Sequence, residues 1–145
     1  MSFARNLTFV AFGTLVLSVF VDWAVYVYVA ALFMSSGLVL ADLIVRYVKL
    51  QACIEMATQD LARGSALLFD QEADRFEIHP YSSALAVLAM AAIAALAGVG
   101  NIELVSLHSA IAIVYSVVVV STYRRYATQL KEAVELVDNR NGIIW

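Results

Sequence analysis

Residues 7–45 read LTFVAFGTLVLSVFVDWAVYVYVAALFMSSGLVLADLIV, and only Asp22 and Asp42 in this run carry a formal charge. As one straight helix the run would extend roughly 60 Å, about twice the hydrocarbon thickness of a bilayer. It therefore has to double back. Asp22-Trp23 is the natural corner: a carboxylate there can cap the following helix, and Trp23, Tyr26 and Tyr28 supply rings favoured at a membrane–water boundary. A second long apolar region runs from Tyr81 to Tyr123, and Gly98, Gly100 and Asn101 mark a turn within it.

Composition points the same way. Of the 145 residues 63% are hydrophobic and 14% charged, against roughly 45–50% and about 25% in soluble domains. A water-soluble domain of this size lacks the interior to hide so many apolar side chains, whereas hydrocarbon removes the need to hide them. The sequence thus predicts an all-α integral membrane protein, a single membrane domain over residues 1–145 with four transmembrane helices arranged as two helical hairpins. The predicted spans are about 3–21, 23–45, 81–100 and 102–123, with a cytoplasmic loop over about 46–80 and a cytoplasmic tail over 124–145. The first block follows Arg5 in the manner of a secretory signal, but another span follows it rather than a polar mature domain, so it reads as a retained span.

Orientation comes from the basic residues. Arg5 stands in the first turn of the first apolar block, Arg46, Lys49, Arg63, Arg75, Arg124, Arg125, Lys131 and Arg140 fall outside the blocks, and the short links at Asp22 and Asn101 hold no basic residue. Lys and Arg beside membrane spans are retained on the cytoplasmic side, so both termini are expected there. The net charge of −3 has no basic patch and argues against nucleic acid as a partner. The single cysteine, Cys53, excludes an intramolecular disulfide and reads as a small apolar filler.

Beyond the second span, Leu50, Cys53, Ile54, Ala57 and Leu61 recur at helical spacing with polar residues between them, predicting an amphipathic cytoplasmic helix that breaks at Gly64-Ser65. Ala66 to Pro80 reads as an acidic loop, with Phe76, Ile78 and Pro80 alternating as in a short extended piece. Pro80 suits the start of the third span. In the tail, Leu130, Val134 and Val137 form a second amphipathic stripe, ended by Gly142 before Ile143-Ile144-Trp145. The stripes Leu50, Ile54, Ala57, Leu61 and Leu130, Val134, Val137 need cover, from each other or from a partner, and make a candidate cytoplasmic interaction face. The alanine-rich third span, through Ala84, Ala91, Ala95 and Gly98, offers a helix-packing face of small residues.

Charges inside a membrane are costly and mark functional candidates. Asp42 stands one turn before Arg46 and is accounted for by an i,i+4 ion pair. Asp22, Glu103 and His108 fall toward the opposite side, where a carboxylate–imidazole pair can relay protons or hold a metal. Together Asp22, Asp42, Glu103 and His108 form the candidate intramembrane polar site. The chain has no spacing motif for a nucleotide, haem or metal, and no convergent set of acids, bases or nucleophiles. No catalytic residue, cofactor or metal is therefore assigned. The expected function is a non-enzymatic membrane subunit, a scaffold or anchor in a homo-oligomer or heteromeric assembly within the lipid bilayer. An oligomeric holin-like pore, with Ser18, Ser35, Ser36, Ser106, Ser109 and Ser116 lining a path, is the alternative. A small ion- or proton-coupled transporter is the third reading.

Overall fold

The computed structural model describes residues 3–142; Ile143-Ile144-Trp145 lies outside the described residues. All regular structure in it is helical: α1 (Phe3–Ser18), α2 (Ala24–Gln59), α3 (Leu61–Ala73), α4 (Pro80–Ala97) and α5 (Ile102–Gly142). Three of these, α2, α4 and α5, are long and apolar enough to cross a membrane. The first apolar block yields only the 16 residues of α1, a rise of roughly 24 Å against the roughly 30 Å of a hydrocarbon core.

The chain divides into two compact units. The first comprises Met1–Ala41 and Glu77–Val120. Its core draws Ala11 and Leu15 from α1, Tyr28 and Ala31 from α2, and Met90, Ala91 and Ala94 from α4, joined by Ala112 of α5. The buried positions of α2 here, Ala24, Tyr28, Ala31, Ser35 and Val39, recur every three or four residues and so form one face. Polar side chains link the helices across this core. Thr8 meets Ser35 at 2.6 Å between α1 and α2, and Ser83 meets Tyr115 at 2.8 Å between α4 and α5. Ser116 donates to the carbonyls of Ala112 and Ala84 at 2.8 and 3.4 Å. Such bonds hold helices together where no water competes for the donors.

The turns are set by local chemistry. Pro80 opens α4, and Gly98 closes it with a left-handed backbone at φ 65°, which a residue without Cβ adopts freely. Asn101 Oδ1 then accepts from Leu104 N at 2.9 Å and caps α5. The corner between α1 and α2 departs from expectation. It occupies residues 19–23, and Asp22 contributes its backbone carbonyl to Val25 N at 3.3 Å, not a side-chain cap. Successive bonds such as Val21 N to Leu17 O and Ala24 N to Val21 O close the corner without Gly or Pro.

The second unit comprises Asp42–Phe76 and Ser121–Trp145. The expected break at Gly64-Ser65 lies instead at Asp60, whose side chain caps α3 by accepting from Arg63 N at 3.3 Å. Asp60 competes for backbone N–H groups better than glycine does, so it ends one helix and starts the next. Gly64 is inside α3, where a Cβ would overlap the backbone of Ala57 in α2. Most of the stretch read as an acidic loop is therefore helical as far as Ala73. The expected extended piece around Phe76 and Ile78 forms no strand among the described residues.

Candidate functional site

Arg46 is the most fully engaged charge of the second unit. Its Nε donates to both carboxylate oxygens of Asp42 at 3.2 Å, the ion pair the i,i+4 spacing predicts. Its Nη1 reaches Asp74 Oδ2 at 3.0 Å and the Asp74 carbonyl at 3.3 Å, and Nη2 reaches the Arg75 carbonyl at 3.2 Å. The guanidinium carbon stands 4.3 Å from the centre of the Phe76 ring, within cation–π range. Phe76 in turn meets Tyr123 and Tyr126 edge-on. One planar fork thus ties α2 to the end of α3 and, through Phe76, to α5. Gln71 adds a parallel link by donating to the Arg46 carbonyl at 2.7 Å and to the Tyr126 hydroxyl at 3.5 Å. Cys53 is buried beside it, its Sγ 3.6 Å from Gln71 Oε1. Burial pushes the Cys53 thiol pKa up, with Lys49 acting in the opposite direction.

The two amphipathic stripes take part unequally. Ile54, Ala57, Leu61 and Val137 line one groove of about 290 Å³, with Leu68 of α3 at its floor. Gln51, Thr58, Gln129, Glu132 and Arg140 give this groove a polar rim, and Gln51 donates to Gln129 at 2.7 Å across it. Leu50 is buried and, like the half-buried Leu130 and Val134, does not line the groove. On α4, Ala84 and Ala91 belong to the buried face. Ala95 and Gly98 are exposed, and Val87, Met90 and Ala94 take their place.

In the first unit the polar residues Asp22, Glu103 and His108 do not gather. Asp22 and Glu103 are exposed, and Glu103 makes no ion pair among the described residues. His108 turns instead to Tyr28, its Nε2 3.0 Å from the tyrosine hydroxyl and the rings 5.5 Å apart at 70°. Both side chains line a cavity of about 290 Å³ walled by α2, α4 and α5. Tyr115 and Ser36 line it too, and the Tyr115 hydroxyl meets that of Ser83 at 2.8 Å.

Tyr28 was expected among boundary aromatics, yet it is one of the largest fully buried side chains. The signal was its four-residue step from Ala24 and its seven-residue step to Ser35, which place it on the packed face. Gln71 had no such signal, because its partners lie on other helices. Among the described residues no three His, Cys, Asp or Glu gather as a metal set. Comparison with protein-family models, with curated proteins and with solved structures gives no match, so the functional argument rests on this geometry.

Proposed function

We propose that the chain is a non-enzymatic integral membrane subunit that acts as a scaffold or anchor for a larger membrane assembly. In this reading it crosses the bilayer four times as two helical hairpins, with both termini and residues 46–80 on the cytoplasmic side. The short α1 is accommodated by local thinning of the bilayer or by packing against its neighbours. The basic residues at the ends of the apolar blocks support the orientation.

The observation that carries the proposal is the groove of Ile54, Ala57, Leu61 and Val137. The helices beside it are fixed by the Arg46 and Gln71 links, while the groove itself remains open and apolar inside a polar rim. That combination of apolar centre and polar edge is the anatomy of a protein contact. The pore reading has less support, since Ser18, Ser35 and Ser116 bond to carbonyls or to a neighbouring helix within one copy. The transporter reading loses its acid–imidazole pair, because His108 bonds Tyr28 and not Glu103.

The test is purification of the full chain in mild detergent, with the mass and stoichiometry of whatever accompanies it. A fixed heteromeric ratio is expected, and Leu61→Glu should abolish it while helical content is kept. A lone homogeneous ring that makes liposomes leak would overturn the scaffold in favour of a pore.

A further inference from the structure

We infer that the cavity between α2, α4 and α5 is a binding site for a lipid-soluble carbonyl compound, held by a hydrogen bond from the Tyr28–His108 pair. Its walls are hydrocarbon: Val29, Leu32, Phe33 and Leu40 from α2, and Leu104 and Ile111 from α5. At about 290 Å³ it stands near the lower end of the roughly 300–1,000 Å³ of small-molecule sites. Only four polar side chains line it: Tyr28, Ser36, His108 and Tyr115. The Tyr115 hydroxyl is already engaged by Ser83 at 2.8 Å.

The Tyr28–His108 pair is not satisfied in the same way. A neutral imidazole carries one N–H and a tyrosine one O–H, so the pair holds two polar hydrogens and shares one bond. If Tyr28 donates to Nε2, the Nδ1 hydrogen is left over. If Nε2 donates to Tyr28, the hydroxyl hydrogen is left over. Either tautomer leaves one donor, and His108 has no second protein partner among the described residues. In hydrocarbon, water is not at hand to take that hydrogen. The complement is an acceptor without a donor of its own on an apolar body, which is the chemistry of a ketone or ester carbonyl. His108 and Tyr115 are seven residues apart on one face of α5, a rise of roughly 10 Å. An elongated ligand whose carbonyl meets His108 therefore has apolar wall along its length.

The experiment uses the full chain in nanodiscs and a decyl-substituted benzophenone, a lipid-soluble ketone that cross-links to nearby C–H bonds on illumination. Labelled residues mapped by mass spectrometry should fall on the cavity walls of α2 and α5. Methyl undecyl ketone should suppress labelling, and tridecane, which lacks the acceptor, should not. Tyr28→Phe combined with His108→Phe removes both hydrogens and should lower labelling about fivefold. The ketone–alkane comparison needs no variant, so it decides the matter even where the double variant does not fold. Nanodiscs of diester and of diether phospholipid separate two sources of the carbonyl. A rise in labelling in diether lipid identifies a phospholipid ester as the resident group, and equal labelling identifies a free carbonyl compound. Competition by tridecane equal to that by the ketone, or undiminished labelling of a folded double variant, overturns the inference.

Discussion

Arg46 shows how much of a local structure one side chain can hold. Its spacing from Asp42 is readable in the sequence, because i and i+4 share a helix face. Its bonds to Asp74 and to the Arg75 carbonyl span 28 and 29 residues and depend on α3 folding back toward α2, which no local pattern announces. Lysine would keep the charge but lose the planar fork and the stacking on Phe76. Arg46→Lys is therefore expected to lower stability by about 1–2 kcal/mol, toward the small end because the Asp42 and Asp74 side chains are 42% and 66% exposed. Thermal unfolding in detergent measures the loss. Timed trypsin digestion gives an independent reading: cleavage after Arg75 should accelerate once its carbonyl is released. Unaltered thermal stability and an unchanged cleavage rate would show that Phe76, and not the guanidinium, holds this segment. The same limit hid the Tyr28–His108 pair, whose members stand 80 residues apart.

At the scale of elements, turns were legible where a residue type has one conformational use. Gly98 and Asn101 are of this kind, and so is Pro80 at the start of α4. Gly64 was not, because a glycine signals either a break or a close approach, and the sequence does not distinguish them. The neighbouring Asp60 resolves the ambiguity by capping, which leaves Gly64 free to bring α3 against Ala57. The face of α4 was ambiguous for a related reason. A helix with alanine on every side has no apolar stripe to read, and of the small residues on it Ala84 and Ala91 are buried whereas Ala95 and Gly98 are exposed. Two glycine substitutions test the role of Gly64. Gly64→Ala places a methyl on the Ala57 backbone, which cannot rotate away as a side chain would, and should destabilise the second unit by about 1–3 kcal/mol. Gly13→Ala, with nothing within 4 Å of the added carbon, should be neutral or stabilising by about 0.5–1 kcal/mol. Comparing the two melting temperatures separates helix propensity from packing. Equal shifts would mean that α3 does not depend on its approach to Ala57.

At the scale of the whole molecule, the all-helical class and the membrane character follow from composition and block length, and both were readable. The number of crossings is harder, and the difficulty lies in α1. Its apolar block looked long enough to span, but the helix stops at Ser18, and residues 19–23 go into the corner. Hydropathy measures the block, whereas crossing depends on the length that stays helical. Cysteine labelling decides the count. On a Cys53→Ser background, single cysteines replacing Arg5, Asp22, Arg75, Asn101 and Arg140 can be tested in sealed vesicles with a membrane-impermeant maleimide. Four crossings require Arg5→Cys, Arg75→Cys and Arg140→Cys to react from one side, and Asp22→Cys and Asn101→Cys from the other. The informative pair is Arg5→Cys and Asp22→Cys. If both react from the same side, α1 does not cross and the chain spans three times. The core then argues against a simple surface helix, because Ala11 and Leu15 of α1 pack into the same cluster as Tyr28 and Met90. Because α1 is one unbroken helix from Phe3 to Ser18, labelling of both ends from one side would mean that its packing on α2, the Thr8–Ser35 bond included, is not kept in the membrane.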